Sequence, residues 1–264
     1  MNQLRERLAL GGTAIGTHVS LNNPVITELL GSCGFDYIWI DTEHTTVTLE
    51  QLQMHFIAAK AAGVAAVARV AWNDPVRLKP VLEMGPDGVV IPMVNSYEEA
   101  LKAVQAFLYP PRGNRGYGPQ RACRFGLMPI EEYLEKYDKT VRILQVEHID
   151  AVRDLDRILT IPEIDVLLFG PCDLAASMGK IGQWDDPEVQ QVIDDACAKV
   201  LTAGKMLGVS YGPCSDEMLK RWKSRGVDMI SIAADTNFLA LGAQSTFEQL
   251  RGVFSERSEE CAPK

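Results

Sequence analysis

An eight-stranded α/β barrel is the fold this sequence predicts, and three observations predict it. Short apolar runs recur at eight places along 264 residues, stretches with helical period alternate with them, and the runs are continuously apolar rather than alternating. Continuous apolarity marks strands buried on both faces, the condition of a parallel sheet covered by helices. Eight strand-helix units of this kind close into a (β/α)8 TIM barrel, a fold that reaches ~250 residues without dividing. We therefore expect one domain over residues 1–254 and a polar tail over 255–264.

In chain order, the expected strands carry AIGTHVS (14–20), DYIWID (36–41), VAAVARV (64–70), GVVIPMV (88–94), VRILQVE (141–147), IDVLLF (164–169), MLGVSY (206–211) and MISIA (229–233). Helical period fills the intervals at 24–33, 49–62, 75–84, 97–107, 151–159, 187–203, 215–225 and 236–253. Helix starts carry ordinary punctuation: Asn73-Asp74-Pro75 and Asp185-Asp186-Pro187 set a capping side chain before a proline in the first turn. One connection, residues 108–138, is too long for a simple crossover and contains YPPRGNRGYGPQRACRFGL. Long loops in compact domains are functional or disordered. We expect an ordered active-site loop, on the side of the barrel that carries the candidate groups.

Composition narrows the function. With 47% hydrophobic residues, a net charge of −9 and a sequence pI near 5.0, the chain has no basic field for nucleic acid or an anionic membrane. A small soluble substrate is expected. Six scattered cysteines without CxxC spacing read as reduced thiols. The start, MNQLRERLALGG, lacks the apolar stretch of a signal peptide, and no run reaches the ~20 residues of a membrane span. A cytoplasmic protein is expected.

Polar residues at strand ends carry the chemistry, because active sites of such barrels lie at the C-terminal face. Glu147 follows RILQV and Asp173 follows LLFGPC. A carboxylate pair suits a hard divalent cation that keeps other positions for water and substrate, although Asp173 also fits a helix N-cap. His44, in IDTEH, has Asp41 and Glu43 beside it to orient an imidazole as general acid or base; a hydrogen-bonded structural histidine fits as well. Arg69 follows small apolar residues, where a desolvated guanidinium either stabilises an oxyanion or forms a structural salt bridge. No lysine occupies a strand end as a Schiff base requires, and no Ser or Cys sits in a nucleophile elbow.

Taken in order and spacing, GFDYIWIDTEH, ARVAWNDP, VVIPMVNSYEEA, YPPRGNRGYG, LQVEH and LLFGPCDLAASMG resemble the metal-dependent class II pyruvate aldolases of the HpcH/HpaI type over residues 16–243. The resemblance implies a barrel of the phosphoenolpyruvate/pyruvate-domain type, a homo-oligomer (hexamer or trimer) with a C-terminal helix exchanged between neighbours, and a role in aromatic or sugar-acid catabolism. It implies reversible cleavage of a 4-hydroxy-2-oxo acid into pyruvate and an aldehyde through a metal-bound pyruvate enolate. It assigns Glu147 and Asp173 as ligands of a divalent cation (Mg2+, Mn2+ or Co2+), His44 as acid/base, and Arg69 as the holder of the substrate carbonyl oxygen. Gln145 would sit near pyruvate, with the backbone amides of Cys172 and Asp173 receiving its carboxylate.

Departures from the family pattern also carry expectations. Glu83 stands where aspartate is expected, at a position tied to the histidine-water system and contributed in some assemblies by a neighbour. Cys172 replaces Ala or Ser, which a backbone role tolerates. His18 and Ser210 replace bulkier or aliphatic residues and would make the aldehyde side more polar, favouring a hydroxylated or carboxylated aldehyde, unless His18 merely bonds loop backbone. Competing readings are a decarboxylase of oxaloacetate or an acyl-CoA lyase using the same enolate, and a barrel that binds ligand without catalysis.

Overall fold

The computed structural model describes residues 2–255. Its eight strands hydrogen-bond in chain order, all parallel, and β1 returns to pair with β8, closing the barrel. The elements are α1 (Gln3–Ala9), β1 (Ala14–Val19), α2 (Pro24–Ser32), β2 (Tyr37–Asp41), α3 (Leu49–Ala62), β3 (Ala65–Arg69), α4 (Pro75–Met84), β4 (Gly88–Ile91), α5 (Tyr97–Phe107), a 3-10 segment (Arg121–Gly126), α6 (Ile130–Asp138) and β5 (Val141–Val146). They continue with α7 (Ile149–Arg153), α8 (Leu155–Ile158), β6 (Val166–Phe169), α9 (Pro171–Ser177), α10 (Pro187–Thr202), β7 (Met206–Tyr211), α11 (Asp216–Ser224), β8 (Met229–Ala234) and α12 (Asp235–Ser255). The expected tail at 255–264 lies outside the described residues except for Ser255, which ends α12.

Every expected strand is present, and the largest end shift has a local cause. β4 stops at Ile91 because Pro92 has no N–H to continue the ladder. The expected helix over 151–159 is instead the pair α7 and α8, divided at Asp154 with φ −96° and ψ 7°. Three helices escape the sequence reading: α6, inside the long connection, α9, which starts one residue after β6, and α1, whose Leu4 is fully buried. Leu4 stoppers the lower end of the barrel, and its Cδ2 lies 2.9 Å from where a Cβ on Gly88 would fall, so glycine there makes room for it.

Strand residues alternate between two separate cores, as a period of two requires. Ala14, Tyr37, Trp39, Ala65, Val67, Val90, Val141, Ile143, Val166, Leu168 and Met229 fill the interior with Leu4. Their neighbours in sequence, such as Ile38, Ile40, Ala66, Ala68, Leu144 and Leu167, pack outward against the helices. Continuing the inward series by two residues past the last apolar layer reaches Asp41, Arg69 and Gln145. The barrel thus delivers its polar groups to the upper rim by simple alternation.

The long connection is ordered, with a 3-10 segment and α6 inside it, but it lies at the opposite end from the expected one. It follows α5 and precedes β5, and a segment between a helix and the next strand belongs to the N-terminal face. Arg121, for example, donates to the carbonyl of Met84 at the end of α4. α12 is the other outlier: Leu239, Leu241, Phe247, Leu250, Val253 and Phe254 along it are all exposed. Among the described residues no helix is long and apolar enough to cross a membrane.

Candidate active site

An open cleft at the C-terminal face is lined by His18, Asp41, His44, Arg69, Gln145, Gly170, Cys172, Asp173 and Ser210. Of the strand-end groups expected to carry chemistry, His44, Arg69 and Asp173 line it and Glu147 does not.

Arg69 is the best-anchored group. Its Nε and Nη2 donate to the two carboxylate oxygens of Asp41 at 2.9 and 2.7 Å, and its Nη1 lies 3.0 Å from Glu43 Oε2. Trp39, one inward step below Asp41, sets its ring 5.4 Å under the guanidinium. The bonds to Asp41 use two of the five N–H groups an arginine owns, and the approach to Glu43 is an ion pair rather than a hydrogen bond. Of the two alternatives left open for Arg69 the salt bridge is the one seen, and it fixes the guanidinium while leaving donors over. Burial would pull its pKa down, but bonds to Asp41 and the charges of Asp41, Glu43 and Glu147 outweigh that and raise it.

Glu147 is 4% exposed and lies just behind the cleft wall formed by Gln145 and Gly170. Its Oε1 accepts from the Met93 backbone N–H at 2.6 Å, and its Oε2 from Gln145 Nε2. Met93 has φ +55°, a conformation strained for a residue with a side chain, and the bond to Glu147 is the visible return for it. Burial, with the charges of Glu43 and Asp173 added, pushes the Glu147 pKa up to about 7 despite the Met93 N–H and Arg69. Glu43 is pushed up to about 7 as well, again by burial first, with Asp41 and Asp173 adding to it and Arg69 opposing.

Asp173 does not cap a helix: the N-cap of α9 is Gly170, and Asp173 stands exposed in the first turn. Leu174 donates to Gly170 O at 3.0 Å, so Cys172 and Asp173 hold first-turn N–H groups for which the helix itself has no acceptor.

Could these residues hold a divalent cation? Among the described residues no group of three or more His, Cys, Asp and Glu side chains is arranged as a metal site. Glu147 and Asp173 are the two carboxylates expected to bind it, and hard cations accept a pair where water or substrate oxygens complete the shell. The surroundings fit. Carboxylates crowd the site with Arg69 as the nearby cation, Gln145 Oε1 is buried with no partner, and a Cβ on Gly170 would come within 3.1 Å of Gln145 Nε2 and 3.3 Å of Glu147 Oε2.

The two histidines differ sharply. His44 is 67% exposed at its side chain, with Nε2 3.7 Å from Glu43 Oε2, free to meet a substrate at the cleft mouth. His18 is bonded on both sides, Nδ1 at 2.7 Å from the Ala233 carbonyl and Nε2 at 2.9 Å from Ser210 Oγ, with its ring edge-on to Trp39. Burial, helped by the charge of Arg69, lowers its pKa to about 4. A neutral His18 must keep its proton on Nδ1 to donate to the carbonyl, so Ser210 donates to Nε2. His18 therefore bonds backbone and also shapes the cleft.

Glu83 is not brought to this cleft. It ends α4 at the N-terminal face, where Arg115 Nη2 donates to it at 3.0 Å and stacks over Tyr109 at 4.7 Å. Sequence reasoning undervalued Asp41, whose grip on Arg69 is signalled only by equal places on adjacent strands, and missed Met93, for which a non-glycine positive φ leaves no trace in sequence.

Residues 14–240 match the family model of the HpcH/HpaI aldolase/citrate lyases. A 4-hydroxy-2-oxo-heptane-1,7-dioate aldolase of Shigella sonnei is 34% identical over 247 residues, covering 92% of this chain and 93% of its own. Among solved structures, an HpcH/HpaI aldolase/citrate lyase family protein of Burkholderia cenocepacia J2315 superposes with a TM-score of 0.89 at 27% identity, over 95% of this chain and 100% of its own. An HpcH/HpaI aldolase of Desulfitobacterium hafniense DCB-2 gives 0.87 at 27% identity, over 98% and 99%.

Proposed function

Because this chain belongs to the HpcH/HpaI aldolase/citrate lyase family and is a carbon-carbon lyase, we propose that it reversibly cleaves a 4-hydroxy-2-oxo acid into pyruvate and an aldehyde with the help of a divalent cation. One observation carries the reading: Arg69, fixed by Asp41 and Glu43, shares a cleft with Asp173, His44 and Gln145, directly in front of Glu147.

Glu147 and Asp173 would hold Mg2+, Mn2+ or Co2+, whose Lewis acidity offsets the negative charge that pyruvate gains as the bond breaks. The open N–H groups of Cys172 and Asp173 bind the pyruvate carboxylate. Arg69 turns its remaining donors to the oxygen that becomes negative, and Gln145 orients the keto acid. His44, through water, takes the proton of the C4 hydroxyl; the electrons of the C3–C4 bond pass to pyruvate as its enolate, and the aldehyde leaves. C3 then regains a proton.

The aldehyde end falls to His18 and Ser210. With His18 neutral and Ser210 donating to it, the serine oxygen has lone pairs to spare and no proton to give. Such a pair accepts from a hydroxyl and does not attract a carboxylate. A hydroxylated, uncharged aldehyde fits this cleft better than the acidic one implied by the 1,7-dioate in the relatives' names. The basic loop that an acyl-CoA lyase would use for phosphates lies at the other face, where Arg112 and Arg115 already pair with Asp138 and Glu83. The exposed apolar side of α12 is the face that a homo-oligomer, hexamer or trimer, would cover.

The test is pyruvate release from 4-hydroxy-2-oxo acids with hydroxylated, aliphatic and carboxylated tails, beside decarboxylation of oxaloacetate, with Mg2+ and with EDTA. Cleavage that EDTA abolishes, fastest on the hydroxylated tail, is expected. Oxaloacetate turnover outrunning every cleavage would shift the assignment to a decarboxylase.

A further inference from the structure

The end of the barrel opposite the cleft contains a second cavity, of about 500 Å³, between the ends of α3 and α4 and the 3-10 segment. Four cationic side chains line it: Lys60 from α3, Arg121 and Arg124 from the 3-10 segment, and Lys136 from α6. None of the four has an ion pair with a carboxylate among the described residues. Arg121 is held by carbonyls, Nη1 at 2.6 Å from Met84 O and Nη2 at 3.4 Å from Phe56 O. The carboxylate in the lining, Asp87, has its oxygens engaged, Oδ1 by the Gln3 N–H and Oδ2 by the Ala66 N–H, each at 3.0 Å.

Unpaired like charges around one hollow repel each other, and the molecule has gone to some trouble to keep them there. Arg124 and Phe125, adjacent in the lining, both take the left-handed conformation, φ +55° and +58°. Such strain in non-glycine residues gathers at ligand clamps. Partial burial, with the charges of Lys60 and Arg121 added, holds Lys136 below the ordinary ammonium value, and burial lowers Arg121 too, in each case against the opposing charge of Asp87. Both effects are ones a bound anion would reverse. Guanidinium forks and ammonium groups together match the tetrahedral oxygens of phosphate, and Phe56, Phe125 and Leu127 add apolar wall.

We propose that Lys60, Arg121, Arg124 and Lys136 form a binding pocket for a phosphate dianion, either free phosphate or the phosphoryl group of a small ester, separate from the catalytic cleft. Occupancy would tie the 3-10 segment to α3 and α6 and so stiffen the N-terminal face.

The experiment is calorimetric and thermal titration of the metal-stripped, full-length protein with inorganic phosphate and with phenyl phosphate, each against sodium chloride of equal ionic strength. Saturable binding and a rise in Tm beyond the chloride control are expected. Tighter binding of phenyl phosphate would assign the pocket to an ester, and equal or weaker binding to free phosphate. Lys136→Met should weaken binding at least tenfold while leaving the ligand-free Tm equal to or above wild type, because a crowded charge is removed. Lys60→Met, at an exposed helix position, gives the same comparison should the first variant fold poorly. A Tm rise no larger than chloride gives, or binding indifferent to both variants, overturns the proposal. So does loss of oligomeric state in the variants without any phosphate binding in wild type, since the cations would then serve a neighbouring subunit.

Discussion

Replacing Arg69 with alanine is predicted to cost about 3–5 kcal/mol of stability, the penalty for removing one partner of a buried ion pair. Simple addition would give more: two charge-assisted bonds to Asp41 at 2.9 and 2.7 Å, at about 1.5–3 kcal/mol each, reach about 3–6 kcal/mol before the ion pair to Glu43 at 3.0 Å is added. The lower range wins because the stranded carboxylates can neutralise themselves. Glu43, already pushed up to about 7, takes a proton near neutrality once its cation is gone. In a chain of this size each kcal/mol moves Tm by about 2–4 °C, so a fall on the order of 10 °C is expected in a circular-dichroism melt. Arg69→Lys keeps the charge but cannot reproduce the fork; it should recover about half of the stability while kcat for pyruvate release stays down by roughly 10²–10³-fold. If both variants melt within about 2 °C of wild type and turn over nearly as fast, the arginine is neither the keystone of the cleft nor its oxyanion donor.

Two further predictions follow from the same geometry. His18 stays neutral down to a pKa of about 4, whereas an unfolded histidine titrates near 6.5. The unfolded chain thus gains a proton as pH falls below about 6.5 that the folded chain refuses until about 4, and stability present at neutral pH is lost across that window, by about 3 kcal/mol at most. Urea midpoints at pH 7, 5.5 and 4.5 should fall less steeply in His18→Asn than in wild type; parallel slopes would contradict the assignment. Gly170→Ala sets a Cβ 3.1 Å from Gln145 Nε2 and Glu147 Cβ, and is expected to cost about 1–3 kcal/mol and to weaken Mn2+ binding measured by calorimetry. Unchanged Mn2+ affinity would mean that Glu147 does not face the cation.

The barrel was legible because each strand had to be apolar on both faces, so eight runs stood out, and their ends pointed to His44, Arg69, Glu147 and Asp173, of which His44, Arg69 and Asp173 line one cleft. Alternation did the rest, carrying the inward series of Trp39 and Val67 on to Asp41 and Arg69. What stayed hidden depends on the third dimension. The loop at 108–138 was assigned to the wrong face because its Gly, Pro and Arg content says nothing about direction, whereas its position after a helix and before a strand does. α9 is too short to show a period, and the tautomer of His18 depends on Ala233 and Ser210, more than 190 residues away. Glu83 looked catalytic by analogy, yet within one chain it anchors Arg115.

Exchange of the methyl protons of pyruvate for deuterium, followed by proton NMR without any aldehyde present, reads enolate formation alone. The account predicts exchange by wild type with Mg2+, abolished by EDTA and by Glu147→Gln. Exchange that proceeds undiminished in Glu147→Gln, or that ignores EDTA, would contradict it.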